Sequence, residues 1–375
     1  MVRRSALQWP LTNWVPRILQ DSLSQRITQP LPSKEAAVTL VTEFLTTFNQ
    51  IIPLVDDTTL LRLVERQFSW NPDESPSSWI LINVAIAFSY KERAQASAEA
   101  SSDWKKSLGH VKNALNVVVD LFMRNADLPA VQGLLGLALY FQGTPNAQAL
   151  FMLAASGLRL SHSIGLHRNT TSGFIQSEVE ERRRTFWIAF ILDADISIRV
   201  GRPPVQDSED YNTPLPADSP HDGKGMVCID GVSVNCLRLL SQFAVVQRRV
   251  YRHIQTVAVA KQPKEAALKS AKAYEETLLE WKSSIPDIFQ PQHIVTFEPH
   301  HSRQHLLRLQ LAYHSCYANL HKMLLFISSG SPRSQESGPE VDKEITALCL
   351  RSLDSARSAL ALLPYVRLLG SSYRW

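Results

Sequence analysis

Cysteine is scarce in this sequence, and the four that occur (Cys228, Cys236, Cys316 and Cys349) form no C-x-x-C pair. That excludes a zinc ribbon or a thioredoxin-like motif, and four cysteines in 375 residues make no disulfide framework. Free thiols in a reducing compartment are expected. No window gathers five to eight basic residues. The densest run is Arg182-Arg183-Arg184, and the formal charge of +4 is spread too thinly to argue for a nucleic-acid surface. Long apolar runs are missing too: Gly133 to Phe141 is about half a membrane span. At the N-terminus, Pro10 and Pro16 with the polar Gln8, Thr12 and Asn13 break any signal-peptide core, so an intracellular chain without a membrane segment is expected. There is no G-x-S-x-G elbow, P-loop or dinucleotide-binding glycine pattern. Alternating β-branched runs are absent as well, leaving only His293 to Phe297 as a short strand candidate.

What is present is helical period. Apolar residues at 45% and charged residues at 20% fit a globular chain. Residues 1–32 carry Pro10, Pro16, Pro30 and Pro32 without sustained period and read as an extended N-terminal segment. From residue 33 to 375 the chain reads as a single helical unit. Ser33 caps a helix with Val41, Phe44, Leu45 and Phe48 on one face, ended by Pro53; Asp56-Asp57 caps a second with Leu60, Leu61, Val64 and Phe68. Further patterns cover 78–98, 102–125, 129–142 and 146–164. Gly143-Thr144-Pro145 is a short connection that favours antiparallel neighbours. Gly165 is suited to a helix C-cap. Ser177-Glu178-Val179-Glu180 reads as a capping box opening a helix to Val200, with Glu180 and Glu181 a turn before Arg184. Gly201 ends that helix, and a long Pro/Asp/Gly-rich loop follows to about Ser233. Helical patterns return at 234–260, 263–284, 301–328 and 341–369, with a polar linker at 328–339. The class is all-α: antiparallel helix pairs with one long loop.

Candidate catalytic constellations in this frame each fall short. Asp56-Asp57-Thr58-Thr59-Leu60 lacks the third acid that a magnesium-binding, aspartate-rich helix needs, and fits an N-cap instead. His301 and His305 have metal-ligand spacing, but no acidic residue stands between them in a zincin arrangement. Cys316, His314 and His321 are spread around a helix. Ser161-His162-Ser163 puts neighbours on different helix faces, whereas a triad needs convergence. No catalytic, cofactor-binding or metal-binding residue is expected, nor any cofactor in this chain.

The strongest signal is an ordered set of motifs. Val131-Gln132-Gly133-Leu134-Leu135, the Gly143 turn, Ser156 to Leu160 and Gly165-Leu166-His167-Arg168 come first. Glu181-Arg182-Arg183-Arg184-Thr185-Phe186-Trp187, Leu192-Asp193, Ser197 and Gly201-Arg202-Pro203 follow, then Asp207 to Asp210 and Leu215-Pro216. This order resembles the middle homology, or regulatory, region of fungal zinc-cluster transcription factors, most strongly over 131–216. Ala194 departs from the family, which often has Arg there. The family's DNA-binding module, six cysteines on two zinc ions, has no counterpart in the four scattered cysteines here, so zinc binding and base reading do not carry over to these residues.

The resemblance implies a transcription-regulator domain acting in the nucleus, although no localisation signal is evident. Its expected partners are an attached or separate DNA-binding protein, the transcription machinery, a small-molecule effector and a second copy of itself. A helical protein-interaction scaffold with no transcriptional role fits the same pattern, although no period of 34 to 40 residues repeats. The family motif residues Gly165, Leu166, His167, Arg168, Glu181, Arg184, Trp187, Asp193, Gly201, Arg202 and Pro203 are read as structural. Asp193 is expected to pair with Arg184 or Arg202, tying the long helix to the turn after it. His167 either bonds a carbonyl at the preceding helix end or is solvated.

Overall fold

The computed structural model describes residues 27–96, 100–142, 147–207, 209–254, 263–292, 300–330 and 339–367. Among the described residues the fold is all-α apart from one small hairpin. Its helices are α1 (Lys34–Thr46), α2 (Phe48–Ile51), α3 (Asp57–Gln67), α4 (Pro76–Ala96), α5 (Ala100–Asn116), α6 (Val118–Met123), α7 (Leu128–Phe141), α8 (Ala147–Ser163) and α9 (Gln176–Val200). After the hairpin of β1 (Met226–Ile229) and β2 (Val232–Asn235) come α10 (Cys236–Ile254), α11 (Lys264–Ser283), α12 (His300–Gly330) and α13 (Pro339–Arg367).

Local chemistry starts and stops these helices as the residue types dictate. Ser33 Oγ accepts from Ala36 N at 3.3 Å, and Asp56 Oδ1 accepts from Thr59 N at 2.8 Å. Such caps each contribute about 1 kcal/mol by satisfying orphan amides. The first expected helix is broken at Thr47 into α1 and α2, and the pattern over 102–125 divides at Val117 into α5 and α6. α9 begins two residues earlier than the expected box: Ile175 is its cap, and Glu178 Oε2 accepts from Ile175 N at 3.2 Å. Ile has no side-chain acceptor, so only the glutamate half of the box forms.

The hairpin is a departure from the expected loop. Asp230 and Gly231 both have positive φ (49° and 80°), the backbone of a tight turn whose twist matches paired strands. The strand candidate at 293–297, the Gly143-Thr144-Pro145 turn and most of the 328–339 linker lie outside the described residues.

The core is one large cluster running through α1 to α12 and β1–β2, with two small satellites where α11, α12 and α13 meet. α4 and α7 are apolar around most of their circumference because they lie inside it. α5 runs antiparallel to α4: Asn113 Nδ2 bonds Asn83 Oδ1 at 3.0 Å, and Ser107 Oγ bonds Ala87 O at 2.7 Å. α7 instead runs parallel to α4. Gly133 lies against Ile80 and Gly136 against Val84, where a Cβ would come within 2.3 and 2.6 Å of those side chains. Further along, Lys91 Nζ donates to Tyr140 O at 3.1 Å, satisfying a carbonyl at the end of α7, and stands 4.1 Å from the Tyr140 ring centroid. Two glycines let the helices approach, and one buried lysine closes the pair. None of the helices among the described residues is long and apolar enough to cross a membrane.

Candidate functional site

The family motif residues divide into ties and a cleft. Gly165, at φ +76°, closes α8: its N–H donates to His162 O at 3.0 Å and the Leu166 N–H donates to Ser161 O at 2.9 Å. This paired left-handed ending satisfies two orphan carbonyls and turns Leu166 into the core. Gly201 repeats the device on α9, at φ +68°, with Arg202 N donating to Ser197 O at 3.2 Å. Pro203 follows, exposed on the turn.

The three consecutive arginines have three destinations. Arg182 Nη2 donates to Ile164 O at 2.9 Å, at the end of α8, and Arg183 Nη1 reaches Glu180 at 2.8 Å. Arg184 is buried and makes a two-pronged bond to Asp222, at 2.7 and 2.8 Å, with a further contact to Glu180 at 3.3 Å. The Arg184 bond holds the Asp222 carboxyl below the usual carboxylate range. Glu181 turns away from Arg184: it accepts from Gln132 Nε2 at 2.8 Å and from Asp56 N at 3.0 Å, joining α9 to α7 and to the start of α3. Burial is the main cause of its raised pKa.

Asp193 corrects the expected pairing. Its partner is Arg248 of α10, and the Asp193 carboxylate also accepts from Val205 N at 3.0 and 3.1 Å and from Gln206 N at 3.2 Å. Arg184 precedes Asp193 by nine residues, about 13 Å along a helix axis, and so cannot reach it. Arg202 lies past the helix end, donates to Gln148 Oε1 at 2.5 Å and covers the Phe151 ring. The expected tie between the long helix and the following turn therefore exists, made by backbone amides rather than by arginine. Trp187 makes another: its Nε1 donates to Pro214 O at 2.7 Å.

These ties bring two distant segments face to face. Asn212 N donates to His167 O at 3.0 Å, Asn169 N donates to Asn212 Oδ1 at 2.7 Å, and Thr213 Oγ1 donates to Leu166 O at 2.6 Å. Between them opens a cleft of about 470 Å³. One wall is Arg159, His162, His167 and Arg168; the other is drawn from Val205 to Asn212. Tyr211 forms part of the floor, and its ring packs on Phe186, Trp187 and Phe190 at 5.2 to 5.7 Å.

The polar groups of the cleft are unevenly matched. Arg252 of α10 meets Asp207 at 2.9 Å and Glu209 at 3.9 Å. Among the described residues, the side chains of Arg159 and Asp210 have neither hydrogen-bond nor ion-pair partners. His162 Nε2 meets Gln206 Oε1 at 2.6 Å, and His167 Nε2 accepts from Arg168 Nε at 3.1 Å. Burial, with His162 and Arg168 nearby, lowers the His167 pKa against the opposing pull of Asp210. His167 thus points to its own neighbour and not to a carbonyl.

The other constellations stay apart. Ser161 and Ser163 each donate to a carbonyl of their own helix, at 2.7 Å. His314 meets Ser355 at 2.8 Å, while His321 bonds Tyr317 O at 3.1 Å. His305 is buried edge-on to Phe48; the side chain of His301 lies outside the described residues. No group of three His, Cys, Asp or Glu suited to a metal occurs among the described residues. All four cysteines are free thiols, and burial pushes Cys236 up to about 12.

Residues 41–225, which hold both walls of the cleft and all the motif residues, match the model of the fungal specific transcription factor domain. The chain carries a fungal specific transcription factor domain. It is 41% identical over 313 residues to an ABC-transporter-regulating transcription factor of Aspergillus oryzae, and 40% identical over 313 residues to one of Aspergillus fumigatus. Each alignment covers 83% of this chain and 35% of the relative. It is also 28% identical over 368 residues to the fusaridione A cluster transcription factor fsdR of Fusarium heterosporum, covering 97% of this chain and 68% of the relative. The chain thus spans about a third of the length of the two Aspergillus relatives. No solved structure matches it.

Proposed function

We propose that this chain is the regulatory part of a fungal transcription regulator, working in the nucleus through a DNA-binding module on the same polypeptide or on a partner protein. The observation that carries this reading is the domain match over 41–225, supported by relatives that are named transcription factors. The geometry supports it physically. Charged and aromatic motif residues are spent on joining α9 to α3, α7, α8, α10 and the 205–222 loop, so a change at the loop can be passed to several helices. Such a domain acts by shape and makes no bonds in a substrate. The naming of two relatives as regulators of ABC transporters makes transporter genes the first targets to score.

The test is a fusion of the full chain to a heterologous DNA-binding module in a fungal reporter strain. Reporter output should differ severalfold from that of the module alone, and the difference should depend on growth conditions. Output equal to the module alone under every condition would remove the reading. Fluorescent tagging of the full chain should show nuclear accumulation in at least one of those conditions, and steady exclusion from the nucleus would count against it.

A further inference from the structure

The cleft between the 159–168 wall and the 205–212 wall is not explained by holding the fold together. Its two walls carry opposite charges: Arg159 on α8, and Asp210 on the facing loop. Among the described residues neither side chain makes a hydrogen bond or an ion pair, and Asp210 acts on His167 only through its charge. At about 470 Å³ the cleft has room for roughly fifteen water-sized groups, within the range of small-ligand sites. We propose that it is an effector site for a small zwitterion of about dipeptide size, its carboxylate held by Arg159 and its ammonium by Asp210. The effector role rests on the regulatory reading above; the binding does not.

Charge balance selects this class. Arg159 and Arg168 line the cleft with Asp207, Glu209 and Asp210, and Arg252 at the rim engages Asp207 and Glu209, so the cleft offers charges of both signs. A polyanion meets one wall and is repelled by the other, and a polycation fares the same in reverse. A ligand with both poles and no net charge satisfies both walls.

His167 also lines the cleft. Because its Nε2 accepts from Arg168, a neutral ring carries its proton on Nδ1, an atom with almost no exposed surface and no acceptor among the described residues, so the ring shapes the wall without presenting a free donor to a ligand.

The same loop gives the site a route to the rest of the domain. Gln206 meets His162 on the cleft side, while its backbone N–H bonds Asp193. Asp193 in turn holds Arg248 on α10, and one turn further along α10 Arg252 holds Asp207. A ligand that draws Asp210 toward Arg159 therefore acts on the contact between α9 and α10 through two charged residues.

The experiment is calorimetric titration of the full chain with a panel of alanyl dipeptides whose second residues are apolar, polar or charged. The controls are the same peptides acetylated at the amine or amidated at the carboxylate, inorganic phosphate, and spermidine. At least one free dipeptide should bind with one site per chain. Blocking either end should weaken it at least about tenfold, and Arg159→Gln and Asp210→Asn should each do the same. Both residues are exposed, so melting temperatures should stay unchanged and loss of fold will not mimic loss of binding. Absence of any dipeptide binding overturns the site, as does equal binding of the blocked forms, phosphate or spermidine. If binding is lost in Asp210→Asn while the reporter fusion responds unchanged, the effector role falls and the binding stands. A fusion that never alters the reporter, with dipeptide binding intact, strikes only the regulatory reading.

Discussion

Asp193 and Arg248 form an ion pair in which the two side chains keep only 1% and 3% of their exposure. The carboxylate is well supplied, with Val205 N and Gln206 N beside the guanidinium. Arg248 leans on the Phe190 ring 5.2 Å away, and its Nε and Nη1 have no partners among the described residues. Removing one member leaves the other buried and uncompensated, which costs about 3–5 kcal/mol. Asp193→Ala should lower the urea midpoint accordingly, while Asp193→Ala with Arg248→Met should recover a substantial part. A single variant that melts like the parent would show that the pair does not hold α9 to α10.

Glycines 133 and 165 look alike in the sequence but are constrained in opposite ways. A Cβ at Gly133 meets Ile80 Cγ2 at 2.3 Å, whereas at Gly165 nothing lies within 4 Å and only the φ of +76° resists a side chain. Gly165→Ala should cost about 1–2 kcal/mol, the strain of a left-handed residue. Gly133→Ala should cost about 1–3 kcal/mol through overpacking. Pairing it with Ile80→Ala, which removes the Cγ2 and Cγ1 atoms that the new methyl meets, should cost less than the sum of the two single changes, whereas Ile80→Ala and Gly165→Ala should simply add. Thermal melts of the three single and two double variants against the parent separate strain from crowding.

Helix ends were legible because they depend on neighbours in the chain: Ser33, Asp56, Gly165 and Gly201 act within a turn of where they stand. The hairpin was also written locally, as Asp230-Gly231 between two short apolar runs. Its four-residue strands are too short for alternation to stand out from a loop. The Asp193 partner was illegible for a different reason. Arg248 lies 55 residues further on, and the chain offers many arginines to choose from. The cleft could not be read at all, since its walls are brought together by bonds such as Thr213 Oγ1 to Leu166 O. Only Gly165-Leu166-His167-Arg168 and the acidic turn after Gln206 marked its two halves, and nothing in either pointed to the other.

Lys91 makes stability depend on alkaline pH. Burial pushes its amine down to about 8, against a smaller opposing effect of Glu92. Between about pH 8 and the ordinary lysine range near 10.5, the unfolded chain holds a proton that the folded one has released. Stability contributed by this group therefore rises with pH through that window and is absent below it. The displacement corresponds to about 3 kcal/mol. Lys91→Met removes the dependence, so the parent should gain on the variant by about that amount between pH 8 and 10.5. Parallel denaturation curves across the window would show that Lys91 is not desolvated beside Tyr140.

His110 should govern the acid side. Its ring stacks on Tyr90 and its Nδ1 faces Asn83 Oδ1 at 2.9 Å, an oxygen that already accepts from Asn113. Nδ1 is therefore the donor, and Nε2 is a buried acceptor without a partner among the described residues. Adding a proton there creates a buried cation with nothing to bond, so burial pushes the pKa down to about 4. The unfolded chain takes up that proton near pH 6.5, and stability is lost from about pH 6.5 down to about 4. Burial lowers His314 and His321 as well, adding to the same slope. His110→Phe keeps the stacking and loses the bond to Asn83, so it should begin about 1 kcal/mol less stable at pH 7. It should then lose less than the parent on acidification, and the two stability curves should converge by pH 5. Curves that stay parallel from pH 7 to pH 4.5 would mean that His110 protonates as readily in the folded protein as in the unfolded chain.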